Sequence, residues 1–404
     1  MPTMSTKRGV HSCNRPAAPA PASVREPLPM DLLLEIVARC DVATIIRCAS
    51  ASKFLRRSIL DQAFRRRLAL QAAADGGGGI DPACLFGVSY MAYVARMTPV
   101  HHIIRRPSPI QLHASLLTCS LPDNWFEPVA SRGRMILLRR YGYGDFYDPY
   151  NVELQVGDTT TGHVTQLPSA ATFYAHAFLS VSDACGSYEL IVMDMSFRFE
   201  IFSSKIGQWD GGRQASVTGP PPERLDAYAR VIGRTVYWLC RLNVRGDCWD
   251  GILALDVEGA EATRLELPRG CLSRMMSPKQ DKHLLLASVG GRLSLLVAES
   301  GGILMWTLMP TSSFQRAATW SRQLVISAEE IVRPVGLVSS PLSYVLEGFG
   351  ERSGAAIVRM DGRDLLLLDL GTKVVRRLHH PGGAPVASLF LHETDLASLL
   401  KKSF

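Results

Sequence analysis

The chain has 404 residues, 47% of them hydrophobic and 20% charged, with a formal net charge of +7. That is a globular composition with room for two domains or one large one, so a disordered chain is excluded. No apolar run approaches the ~18 residues a membrane-spanning helix needs, and no apolar segment follows Lys7 and Arg8, so neither a spanning helix nor a secretory signal is expected.

The charge is unevenly placed. Residues 1–24 hold Lys7, Arg8 and Arg15 and no acid, residues 25–70 hold nine Lys/Arg against five Asp/Glu, and residues 71–404 sum to zero. The excess therefore belongs to a tail and one small helical region, and nucleic acid is not the expected partner. A rival reading gives nucleic-acid binding to the tail with Arg65, Arg66 and Arg67, and salt dependence would separate the two. The nine cysteines form no C-x-x-C, and the pairs Cys40/Cys48 and Cys240/Cys248 are eight apart. That spacing suits no usual zinc site, so reduced thiols in the nucleus and/or cytoplasm are expected. His101–His102 and His379–His380 have no Cys or Asp close by in sequence, and neither pair is expected to hold a metal.

In chain order, residues 1–24 read as a flexible, extended tail rich in proline and alanine, with Pro16, Pro19 and Pro21 closely spaced. Residues 25–70 then take a helical period. Leu33, Ile36, Val37 and Cys40 fall at i, i+3, i+4 and i+7. Asp41 can cap a second helix in which Val42, Ile45, Ile46 and Ala49 repeat that spacing. Ser52 to Arg57 reads as a third short helix, and Asp61 can cap a fourth carrying Phe64 and Leu68. Gly76 to Gly79 breaks the pattern, which makes 71–84 a glycine-rich hinge.

Residues 85–404 have mostly period 2. Short strands are expected at 135–138, 152–156, 188–193, 236–239, 252–256, 293–297, 303–308, 357–360 and 365–370. Leu396 to Lys402 has helical spacing. A weak repeat runs through the strands: one ending in Asp158, Asp256 or Asp369, a glycine turn, then a strand ending in leucine. The three aspartates are 98 and 113 residues apart, close to two units of ~50, the length of a kelch-like blade. The fold class expected is a small all-α unit followed by an all-β domain, an irregular β-propeller of about six blades. A two-sheet β-sandwich is the alternative.

The run Leu28-Pro29-Met30-Asp31-Leu32-Leu33-Leu34-Glu35-Ile36-Val37, then Val42 to Ala49, then Ser52-Lys53-Phe54-Leu55-Arg56-Arg57, resembles an F-box. Phe54 departs from that family, which often has a tryptophan one place later. The arrangement is similar to plant F-box families with propeller-like, F-box-associated domains. The resemblance implies a substrate receptor of a cullin-type ubiquitin ligase, bound through the F-box to a Skp-type adaptor, with the β domain holding an unknown target protein. The adaptor-binding residues it implies are Leu28, Pro29, Leu32, Leu33, Ile36, Val37, Val42, Ile45 and Ile46. The residues themselves point the same way. A ~45-residue unit is marginal alone, and its first two helices carry more apolar side chains than one face needs.

Tyr141, Tyr143, Phe146 and Tyr147 form an aromatic, glycine-rich loop and are the expected target contacts. Trp238, Trp249, Trp306 and Trp320 are expected in the core. No nucleophile elbow, H-E-x-x-H or phosphate loop is present, so neither catalysis nor a cofactor is expected. The alternative function is an interaction scaffold acting outside ubiquitin ligation.

Overall fold

The fold is described from a computed structural model. It describes residues 28–395 except 41, 65, 68–83, 94–98, 106–125, 142–151, 160–162, 171–173, 183–184, 227, 242–248, 272–282, 310–318, 334–343, 361–363 and 379–385. The tail, Asp41, the Gly76–Gly79 hinge, His379–His380 and the segment 396–402 therefore lie outside the described residues.

The described residues begin with three helices: α1 (Met30–Ala38), α2 (Val42–Ala51) and α3 (Lys53–Leu60). Pro29 stands at the N-cap of α1, where its missing N–H is not needed. Ser52, in extended conformation, accepts a hydrogen bond from the N–H of Leu55 and starts α3. Asp61 ends α3 and accepts from the N–H of Ala63, and residues 62–64 and 66–67 are helical after it. Val37, Ala38, Ile45, Ala49, Ile59 and Phe64 form one small core. Arg67 returns to the start of α1, donating to the carbonyl and the carboxylate of Asp31.

The second part is all β. Five sheets use successive strands: β3 (Glu127–Arg132), β4 (Met135–Tyr141), β5 (Val152–Asp158) and β6 (Val164–Gln166); then β7 (Ala175–Val181), β8 (Tyr188–Met193), β9 (Arg198–Ser203) and β10 (Gln208–Trp209), with β11 (Arg213–Gln214) on β9. The third sheet comprises β12 (Ser216–Val217), β13 (Arg224–Leu225), β14 (Arg230–Ile232), β15 (Thr235–Arg241), β16 (Gly251–Asp256) and β17 (Glu261–Glu266). The fourth is β18 (Leu284–Val289), β19 (Arg292–Glu299), β20 (Gly302–Leu308) and β21 (Trp320–Ser327), followed by α4 (Ala328–Val332). The fifth is β22 (Tyr344–Phe349), β23 (Ala355–Met360), β24 (Asp364–Asp369) and β25 (Val375–Leu378). Apart from the short parallel pair β12–β17, neighbouring strands are antiparallel, and buried clusters join each sheet to the next.

This is a five-bladed propeller, where sequence length suggested about six blades. The remaining strands, β1 (Cys84–Tyr93), β2 (Pro99–Arg105) and β26 (Val386–Asp395), make a three-stranded sheet in the order β2-β1-β26. It is assembled from both ends of the domain, with Cys84 opposite Asp395. β26 lies between β22 and β3 and closes the ring. Dividing length by a blade's length cannot detect such a pairing.

The aspartate repeat has a structural meaning. Asp158, Asp256 and Asp369 each end the third strand of a blade, in the first, third and fifth blades. Asp369 accepts from the N–H groups of Gly371 and Thr372, and Asp256 from that of Glu258, so the carboxylates fasten the turns that follow. Gly302, at φ +134°, begins β20 where a Cβ would lie 2.1 Å from the carbonyl oxygen of Ile326, so only glycine fits.

Glu347 is fully buried, and its carboxylate accepts from Nε of Arg359 at 2.6 Å. Glu347→Ala would leave a largely buried guanidinium without its carboxylate and should cost roughly 3–5 kcal/mol. Replacing both partners by Leu and Met should cost clearly less, and urea melts of the two variants would show whether it does.

Candidate functional site

The helical unit buries one side of its apolar residues and exposes another. Of the expected adaptor contacts, Val37 and Ile45 are 2% and 1% exposed and pack in the core of the helical unit. Leu28, Leu32, Ile36 and Phe54 are 59%, 53%, 50% and 58% exposed. Leu32 and Ile36, four apart, share one side of α1, and Leu28 is exposed just before its N-cap. Pro29 is exposed, and Leu33 is half-buried. The side chains of Val42 and Ile46 lie outside the described residues. Phe54, equally exposed, is not among the expected contacts. The available signal was the register of α3: Leu55 and Ile59, four apart, face the core, which turns Phe54 outward. Of the arginine run, Arg66 is exposed and Arg67 is paired with Asp31, which weakens the nucleic-acid reading.

The expected target-contact loop cannot be placed. Tyr143, Phe146 and Tyr147 lie outside the described residues, and Tyr141 is described only as backbone at the end of β4. Trp238 and Trp249 are core residues in two different clusters, and Trp306 and Trp320 pack against the cluster that holds Trp249. Among the described residues no group of three His, Cys, Asp or Glu is placed to hold a metal, and no helix is long and apolar enough to cross a membrane.

A feature that sequence reading missed lies at the centre of the ring. A cavity of about 300 Å³ is lined by innermost strands, with Arg132, His176, Tyr228, Arg230, Glu351 and Glu393 on its wall. Its walls are tied together by hydrogen bonds between sheets. Ser131 donates to the carbonyl of Leu391, and the N–H of Glu393 to that of Gly133. The Glu393 carboxylate accepts from the N–H groups of Arg352 and Ser353 and from the Ser353 hydroxyl. Tyr228 accepts from the N–H of Leu389, and its phenol is pushed upward by burial and by the nearby Glu347 charge.

His176 is 5% exposed and bonds through Nε2 to the carbonyl of Val129 at 2.8 Å. Burial pushes its pKa from 6.5 down to about 4, with Arg139 adding to the shift and the Val129 carbonyl opposing it. The unfolded chain keeps the ordinary value, so it binds more protons between about pH 6.5 and 4. Stability present above pH 6.5 should fall as pH drops towards 4, by up to roughly 3 kcal/mol from this residue. Urea midpoints across that window should fall less steeply in His176→Gln, and an unchanged slope would point to another group.

The helical unit and the closed ring together define an F-box protein with a C-terminal β-propeller, and residues 27–67 match the F-box domain. Residues 87–403 match the Domain of unknown function (DUF7595), and the chain belongs to that family. No curated protein matches the chain. Among solved structures it is similar to a DUF4784 family protein from Bacteroides caccae ATCC 43185, at 12% identity and TM-score 0.42, covering 76% of this chain and 73% of that one. It is also similar to a putative 6-phosphogluconolactonase from Bacteroides fragilis NCTC 9343, at 13% identity and TM-score 0.33, covering 61% and 66%. A third is the β-propeller domain of Myceliophteria thermophila Cps50 (Swd1), at 10% identity and TM-score 0.33, covering 65% and 87%. Likenesses this distant leave the propeller resting on its own sheets.

Proposed function

We propose that the protein is the substrate-recognition subunit of a cullin-type (SCF) ubiquitin ligase, of the plant-type F-box class with a kelch-like or F-box-associated propeller. F-box domains bind Skp-type adaptors, and the adaptor would link this chain to a cullin. The observation that carries the reading is the group of exposed apolar residues Leu28, Leu32, Ile36 and Phe54, on a unit whose described core is formed by other side chains. Burying a fully exposed side chain of this size is worth roughly 1.5–3 kcal/mol. Four that are about half exposed can therefore support an interface after the ordering costs. The propeller would hold the target protein, and the chain would work by bringing target and ligase together rather than by chemistry of its own. Nucleus and/or cytoplasm is the location this role requires.

Affinity capture with the intact protein beside a version lacking residues 27–67, compared by mass spectrometry, tests the assignment. Adaptor and cullin should be lost on deletion, while candidate targets are retained. Capture of neither ligase component by the intact chain would leave an interaction scaffold outside ubiquitin ligation.

A further inference from the structure

Arg132, Arg230 and Arg352 line the central cavity, the first two from inner strands. Arg230, at the start of β14, donates through Nε to the carbonyl of Leu286 at 2.6 Å and through Nη2 to that of Phe349 at 3.1 Å, and it lies over the Phe349 ring. Arg132, at the end of β3, donates through Nε to Glu351 at 3.3 Å and through Nη1 to the carbonyls of Phe178 and Leu179. A guanidinium offers five N–H donors. Among the described residues, these bonds leave Nη1 of Arg230 and Nη2 of Arg132 unengaged. Both acids of the wall are committed, Glu351 to Arg132 and Glu393 to the backbone of Arg352 and Ser353.

We propose that this cavity binds a small organic oxyanion, a carboxylate- or phosphate-bearing molecule, held between Arg132 and Arg230. The planar guanidinium fork matches the geometry of both groups. Burial and the neighbouring Arg132 charge pull the Arg230 pKa down, and Glu351 and Glu393 offset part of this. An anion between the two arginines would compensate the rest. A volume of about 300 Å³ is at the lower end for small-molecule pockets, and it suits a metabolite-sized ligand. Five inner strands contribute to the wall, so the site depends on the closed ring. The proposal does not depend on adaptor binding, and either can fail alone.

Thermal unfolding of the full chain in citrate or inorganic phosphate, against sodium chloride at matched ionic strength, tests it. A saturable rise in Tm is expected with at least one of them, and it should disappear in Arg230→Gln. Glu351→Gln removes the negative charge that neutralises Arg132 and repels an anion, and should tighten the apparent Kd several-fold, a gain that a misfolded variant cannot give. The absence of any saturable rise beyond the chloride control would overturn the proposal. So would an equal rise in Arg230→Gln, or an unchanged affinity in Glu351→Gln.

Discussion

A chain ending at Pro385 should fail to form the propeller. The cut removes β26, the strand that pairs along nearly the whole length of β1 and lies between β22 and β3. Leu389, Phe390 and Leu391 are buried on it, each worth roughly 1.5–3 kcal/mol. The polar losses are as serious. Without Glu393, the N–H groups of Arg352 and Ser353 lose their acceptor, and without Leu391 the Ser131 hydroxyl loses its own. β1 would become an open edge. The sum reaches the whole stability of an ordinary domain, about 5–15 kcal/mol. The truncated protein should show no cooperative thermal transition and should be digested by protease under conditions where the full chain resists. A transition within a few degrees of the full chain would show that the three-stranded sheet does not close the ring.

Leu32→Asp combined with Ile36→Asp should weaken adaptor binding by at least about 100-fold, since it places two charges in an apolar interface. Both residues are about half exposed, so the unit should still fold, with a small change in Tm. Phe54→Ala should weaken binding on its own, as truncation of an exposed aromatic anchor. Val37→Asp gives a different outcome. It places a charge in the core with Ile45 and Phe64 and should unfold the helices themselves. Loss of binding with retained helicity in the first variant, against loss of both in the last, separates the contact surface from the core.

The helical unit was readable because its signals are local. A cap at Ser52, a proline at the mouth of α1 and apolar spacings of three and four all lie within a few residues of one another. Which side of α1 faces outward was not readable. Leu32, Leu33, Leu34, Ile36 and Val37 cover most of the helix circumference, so periodicity alone does not choose a face. In the propeller, the aspartate-turn repeat placed three third strands correctly because the turn chemistry is written in consecutive residues. Closure by β26 and β1 was hidden because the partners are some 300 residues apart and neither strand carries a local mark of the other. The arginine-lined cavity was hidden for the same reason. Arg132 and Arg230 look like ordinary strand-end charges until the ring brings their strands together. The target-contact loop around Tyr143 lies outside the described residues and is still an expectation.

The central claim is that the exposed Leu28, Leu32 and Ile36, with Phe54, form an adaptor-binding surface. Calorimetric titration of the purified full chain with a purified Skp-type adaptor tests it most directly. Saturable one-to-one binding is expected for the intact protein, with none detectable for Leu32→Asp/Ile36→Asp when circular dichroism shows its helices intact. Equal affinity in that folded variant, or no binding by the intact chain, would contradict the account.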